Sequence, residues 1–130
     1  MEGKYRILIV EDDKEIREGV EIYLHNQGYD VYQASNGAEG LKVIEQQELH
    51  LAIVDIMMPV MDGYQALVGI RNLEKEREIP SDKAVKVIMT TALNEERNVN
   101  MAFELGCTVY SGKPIDQERF EQVLKKLELI

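Results

Sequence analysis

Cysteine and aromatic residues are scarce in this chain of 130 residues: it has one cysteine, no tryptophan, and aromatic side chains at only 6% of positions. A lone Cys107 can close no internal disulfide, which points to a reducing compartment, so a cytoplasmic location is expected. With so few aromatic rings there is little on which nucleobases could stack. Basic residues are also in the minority, 15 against 24 acidic, and the formal charge of −9 opposes a phosphate backbone at long range. Direct nucleic-acid binding is therefore not expected. Uninterrupted apolar stretches are short, such as Ile7 to Val10, and Met1-Glu2-Gly3-Lys4 lacks a basic-then-apolar pattern. Neither a membrane span nor a signal peptide is expected. There is no solenoid repeat and no low-complexity tract.

What remains is a chain near the modal domain size, 45% apolar, long enough for one continuous core and expected to form a single domain over residues 1–130. Five apolar runs of strand length recur: Arg6 to Val10, Asp30 to Ala34, Leu51 to Val54, Lys86 to Thr90 and Cys107 to Ser111. Continuous runs such as Ile7-Leu8-Ile9-Val10 suit central parallel strands covered on both faces, whereas Tyr32 and Gln33 mark the second as an edge. Helical spacing fills the gaps. Ile16, Val20, Tyr23 and Leu24 form one stripe, Ala38, Leu41 and Ile44 another, and Leu67, Ile70 and Leu73 a third. Val99, Ala102 and Phe103, then Phe120, Val123, Leu124 and Leu127, supply the last two. The alternation predicts a (βα)5 chain with a parallel sheet, right-handed crossovers and helices on both faces, an α/β three-layer sandwich. Arg71 to Ala84, dense in charge and broken by Pro80, reads as an overlong helix end followed by a solvated loop.

In such folds the crevice lies at the carboxyl ends of the strands. Those ends carry Glu11-Asp12, Asp55, Thr91 and Lys113-Pro114. Each alone reads as a helix cap or a solvated charge. Together they set three carboxylates, a hydroxyl and an ammonium around one crevice. At about 4 Å and an effective dielectric near 20, each carboxylate pair repels by roughly 4 kcal/mol, so a cation is expected among them. A few hard oxygen ligands in a hydrated mouth suit Mg²⁺ better than Zn²⁺ or a Ca²⁺ cage. His25, on the first helix, and His50, in a polar turn, are expected at the surface, and neither is a catalytic base.

The run Ile7-Leu8-Ile9-Val10-Glu11-Asp12-Asp13 and the block Asp55-Ile56-Met57-Met58-Pro59-Val60-Met61-Asp62-Gly63 resemble the receiver domain of two-component response regulators, and the likeness covers essentially the whole chain. The second block is similar to that family's Asp-x-x-Met-Pro-x-Met-Asp-Gly signature. The resemblance implies a flavodoxin-like doubly wound sheet of order 2-1-3-4-5 and a phosphorylation-dependent signalling switch. It implies that Asp55 accepts a phosphoryl group from a phosphohistidine of a sensor histidine kinase or phosphotransfer protein. Mg²⁺ would be held by Asp12, Asp55 and the backbone carbonyl of Met57, with Glu11 acting through water. Lys113 would pair with one phosphoryl oxygen and Thr91 with another, and Tyr110 would turn inward when the site is occupied. The surface of the fourth helix, fifth strand and fifth helix would then change for a downstream target protein or output domain. A cis bond before Pro114 is implied as well. No turnover on a small substrate is implied, so the protein is not expected to be an enzyme beyond its own phosphorylation and dephosphorylation. Apolar Met57 and Leu93 stand where a polar residue could orient a hydrolytic water, which predicts a comparatively long-lived phosphoryl group. Gly112 departs from the usual branched residue and predicts a looser strand end.

Other functions fit the fold less well. An FMN carrier would need backbone donors after the first strand, where this chain has Glu11-Asp12-Asp13-Lys14. A metal-dependent phosphatase would need its nucleophile there with one residue between it and a second aspartate, whereas the acids here are adjacent and Asp55 stands apart. A receiver used only for docking would require none of Asp12, Asp55, Thr91 and Lys113. The chain stops at Ile130 after the fifth helix, and both a stand-alone receiver and one cut from a longer regulator fit that length.

Overall fold

A computed structural model describes residues 5–56, 61–91, 96–112 and 117–126. Strands β1 (Arg6–Val10), β2 (Asp30–Ala34), β3 (Leu51–Asp55), β4 (Lys86–Thr91) and β5 (Val109–Gly112) alternate with helices α1 (Lys14–Asn26), α2 (Gly37–Gln46), α3 (Gly63–Glu76), α4 (Glu96–Glu104) and α5 (Gln117–Lys126). All pairings are parallel, in the order β2-β1-β3-β4-β5, so the order reverses between β1 and β3. β2 is an edge strand, as its polar residues predict.

Alternation along each strand divides the core in two. Leu8, Val10, Ala52, Val54, Val87 and Met89 pack with Ala66, Leu67 and Ile70 of α3 and Ala102 of α4. Ile7, Ile9, Leu51, Ile53, Ile88 and Val109 pack with Leu24 of α1 and with Phe120, Val123 and Leu124 of α5. The expected stripes are buried or partly buried where they are described, but Ile16 and Phe103 stay 44% and 49% exposed; the Val99 side chain and Leu127 lie outside the described residues.

Two local expectations change and a third gains detail. The fifth strand starts at Val109, because the residues before it close α4: Gly106 adopts φ +101, and Cys107 N–H donates to the Ala102 carbonyl at 3.1 Å. Arg71 to Ala84 is a helix end and an exposed loop, as expected, but the helix end carries a largely buried ion pair. α3 ends at Glu76, and Glu74 is buried, accepting the Val85 N–H at 2.7 Å and pairing with Arg71 at 2.7 Å. Arg71 also donates to the carbonyls of Val85 and Gly106, so the first part of that charged stretch ties α3 to β4 and to the turn before β5. His50 is half-buried instead of exposed: its Nδ1 accepts the Arg6 N–H at 3.0 Å, and its ring meets Tyr5 edge-on at 5.1 Å. No helix among the described residues is long and apolar enough to cross a membrane.

Candidate functional site

Register builds the site. Val10 lies beside Val54, so the next residues, Glu11 and Asp55, stand level at the carboxyl rim across the switch point. Both continue the Ile7-Ile9 and Leu51-Ile53 alternation toward the α1 and α5 side, which explains why two acidic side chains can be as buried as 4% and 3% exposed. Asp12, exposed, completes a cluster in which one carboxylate oxygen from each of Glu11, Asp12 and Asp55 lies within 4.8 Å of the others. Opposite ligands of a Mg²⁺ ion with oxygens at about 2.1 Å stand roughly 4.2 Å apart. The donor set is all oxygen, its spacing fits one hard divalent ion with water in the remaining positions, and the nearness of three carboxylates gives that ion something to neutralise.

The loops on either side are tied down. Glu11 N–H donates to the Ala34 carbonyl at 3.1 Å, and Glu11 Oε2 accepts the Asp13 N–H at 3.2 Å. Asp13 belongs to helix α1 and not to the cluster: its Oδ1 caps the Ile16 N–H at 3.1 Å. Arg17, one turn further on, donates to the Glu11 carbonyl at 2.8 Å and to Gln33 at 3.1 Å. That contact places a guanidinium behind the loop carrying Glu11 and Asp12. Arg17→Ala should leave α1 intact, since Ala is the better helix former, while lowering Mg²⁺ affinity about tenfold. Isothermal titration would measure it, and an unchanged affinity would remove Arg17 from this role.

Beyond Asp55, the Ile56 N–H donates to the Thr90 carbonyl at 2.9 Å and the Ile56 carbonyl accepts the Gly63 N–H at 3.0 Å. Asp62 and Gln65 close a reciprocal capping box at the start of α3. Gly63 is required by proximity: a Cβ there would lie 2.6 Å from the Asp55 carbonyl oxygen and 2.7 Å from the Ile56 Cα. The Asp-Gly that ends the signature is therefore a helix start pressed against the strand bearing Asp55. Gly63→Ala should cost about 1–3 kcal/mol in denaturant unfolding, because both contacts are backbone and neither can swing aside.

Glu11, Asp12 and Asp55 are thus brought together as expected. Thr91 ends β4 opposite Gly112, the residue before Lys113, but the Thr91 side chain, Lys113, the Lys113-Pro114 bond, Met57 and Leu93 lie outside the described residues. Tyr110, on β5, is partly buried and packs against the core cluster beneath α2, α3 and α4. There it is hydrogen-bonded to Tyr64 of α3; burial, with Tyr110 beside it, pushes the Tyr64 phenol up to about 12. Burial also pushes the Cys107 thiol up to about 11, so this cysteine is an inert core residue.

Sequence reasoning missed Arg17, Tyr64 and the Arg71–Glu74 pair. Arg17 reaches a carbonyl six residues back, Tyr64 meets a residue of β5, and the i,i+3 pair of Arg71 and Glu74 matters through the distant backbone of Val85 and Gly106, none of which a short pattern records.

A parallel sheet of this order, with three carboxylates gathered at its switch point, defines a flavodoxin-like α/β domain whose rim could hold a cation. The description "Response regulator receiver domain" matches residues 7–125, and the chain belongs to that family of two-component signalling domains. It is 36% identical over 121 residues to the transcriptional regulatory protein GltR of Pseudomonas aeruginosa, a match covering 93% of this chain and 48% of that protein. The chain spans about half the length of the curated relatives it matches. Among solved structures, TrrA of Thermotoga maritima in complex with Mg²⁺ and BeF is similar at TM-score 0.78 and 30% identity, covering 95% of this chain and 98% of that one. The Saccharomyces cerevisiae Ssk1 receiver domain, solved with the histidine phosphotransfer protein Ypd1, is similar at TM-score 0.86 and 27% identity, covering 95% and 88%.

Proposed function

We propose that residues 1–130 act as one phosphorylation-dependent switch in which Asp55 takes the phosphoryl group. The observation that carries this is the buried Asp55 carboxylate at the rim, level with Glu11 and beside Asp12. Phosphoryl transfer asks a protein mainly for position and charge neutralisation. Asp12 and Asp55 would hold Mg²⁺ with the Met57 carbonyl, and Glu11 would do so through water. When bound, the ion would shield an anionic carboxylate from an anionic phosphoryl group. An Asp55 oxygen would form the new bond to phosphorus while the phosphorus–nitrogen bond of the donor imidazole breaks. Lys113 would pair with a phosphoryl oxygen, and the Thr91 hydroxyl would bond another.

The product carries about one more negative charge than the carboxylate it replaces, with additional acceptor oxygens. Drawing Thr91 toward them would let Tyr110 settle inward and change the α4-β5-α5 surface. A phosphotransfer protein or sensor histidine kinase is the proposed donor, supported by the likeness to a receiver solved with such a protein. The recipient would be a target protein or an output domain. With a charge of −9, this domain would leave any DNA contact to other parts of a regulator. The cytoplasm is the proposed location. Phosphoryl incorporation from acetyl phosphate, followed by phosphate-affinity electrophoresis with and without Mg²⁺, tests the proposal; incorporation independent of the metal would contradict it.

A further inference from the structure

We propose that the Tyr64 hydroxyl holds the Tyr110 ring against the core and thereby forms a second link from the Asp55 strand to the switch tyrosine. This rests on the reading of Tyr110 as the responsive ring. Tyr110 pairs in register with fully buried Met89, and it shares with Tyr64 the cluster beneath α2, α3 and α4. The two phenols are joined by a hydrogen bond.

Tyr64 is well placed to transmit a change. It is the second residue of α3, directly after the glycine that touches the backbone of Asp55 and Ile56, and the Gly63 N–H bonds the Ile56 carbonyl. The capping box of Asp62 and Gln65 fixes that first turn. A backbone shift at Asp55 therefore moves the start of α3 and, with it, the hydroxyl that Tyr110 meets. This path runs through the helix and is independent of Thr91. Swinging Tyr110 outward breaks the phenol pair, so the pair favours the packed ring. In the proposed switch, that is the pose belonging to the occupied site. Tyr64 is thus a positioning residue that raises the share of molecules ready to accept the phosphoryl group.

The experiment uses the full chain with Tyr64→Phe, which keeps the ring and removes the hydroxyl. Tyrosines carrying a ¹³C label at the ζ carbon report on each ring, with Tyr110 assigned through Tyr110→Phe. Beryllofluoride is titrated in the presence of Mg²⁺. Loss of one net hydrogen bond should weaken beryllofluoride binding about fivefold and move the Tyr110 signal toward its solvent-exposed position before any addition. An unchanged Tyr110 signal and unchanged beryllofluoride affinity overturn the inference, as does lowered thermal stability with neither of the other effects. Should Tyr64→Phe fail to fold, Tyr110→Phe tests the pair from the other side: the Tyr64 signal should shift, and a stationary signal overturns it. A wild-type Tyr110 signal that ignores beryllofluoride and Mg²⁺ overturns the switch reading itself and this inference with it. A responsive wild type with an indifferent Tyr64→Phe sinks the inference alone.

Discussion

An Asp55→Asn variant is expected to incorporate no detectable phosphoryl group from acetyl phosphate or from a phosphohistidine donor, and to be more stable than the wild type in metal-free buffer. The first effect follows from chemistry: an amide oxygen carries no charge and cannot form the acyl phosphate. The second follows from the electrostatics of the rim. Asp55 and Glu11 are both buried, and Asp12 lies within the same 4.8 Å cluster. Repulsion among groups so close is of the order of several kcal/mol at an effective dielectric near 20. Removing one of the three charges should therefore raise unfolding free energy by about 1–3 kcal/mol, because asparagine keeps the shape and most of the hydrogen-bonding capacity. Mass spectrometry reads the first result and urea denaturation the second. Persistent incorporation would show that another residue is the acceptor. A loss of stability would show that the Asp55 charge is already compensated within the chain.

Magnesium should act in the same direction on the wild type, by neutralising the cluster instead of removing a charge from it. A ligand that binds only the folded state at a hundredfold excess over its dissociation constant adds about 2.7 kcal/mol. For a domain of this length that corresponds to a rise in melting temperature of roughly 8 °C. Chelation should reverse it. Asp12→Asn should abolish most of the gain, whereas replacing Asp13, which only caps α1, should lower stability without altering the response to the metal. A melting temperature indifferent to Mg²⁺ would leave three clustered carboxylates without the cation that explains them.

Much of this was legible in the residues alone. The boundaries of β1 and β2 and the starts of β3 and β4 follow from their apolar runs, and the signature around Asp55 points to the family. The limits are equally physical. β5 begins two residues later than its apolar run because the α4 end consumes the Cys107 N–H, a bond set by the conformation of Gly106. His50 looked solvated because polarity says nothing of a partner 44 residues away. For the site, Glu11, Asp12 and Asp55 could be named in advance, but Tyr64 and Arg17 could not.

The sequence by itself determined the alternation of strand and helix, the family, and which carboxylates would crowd the rim, because periodicity and local chemistry are written residue by residue. Only the tertiary structure decided which groups support them: Arg17 behind Glu11, Gly63 against Asp55, and Tyr64 on Tyr110. Such contacts arise where separate elements converge, and their distances depend on how the whole sheet is registered and covered.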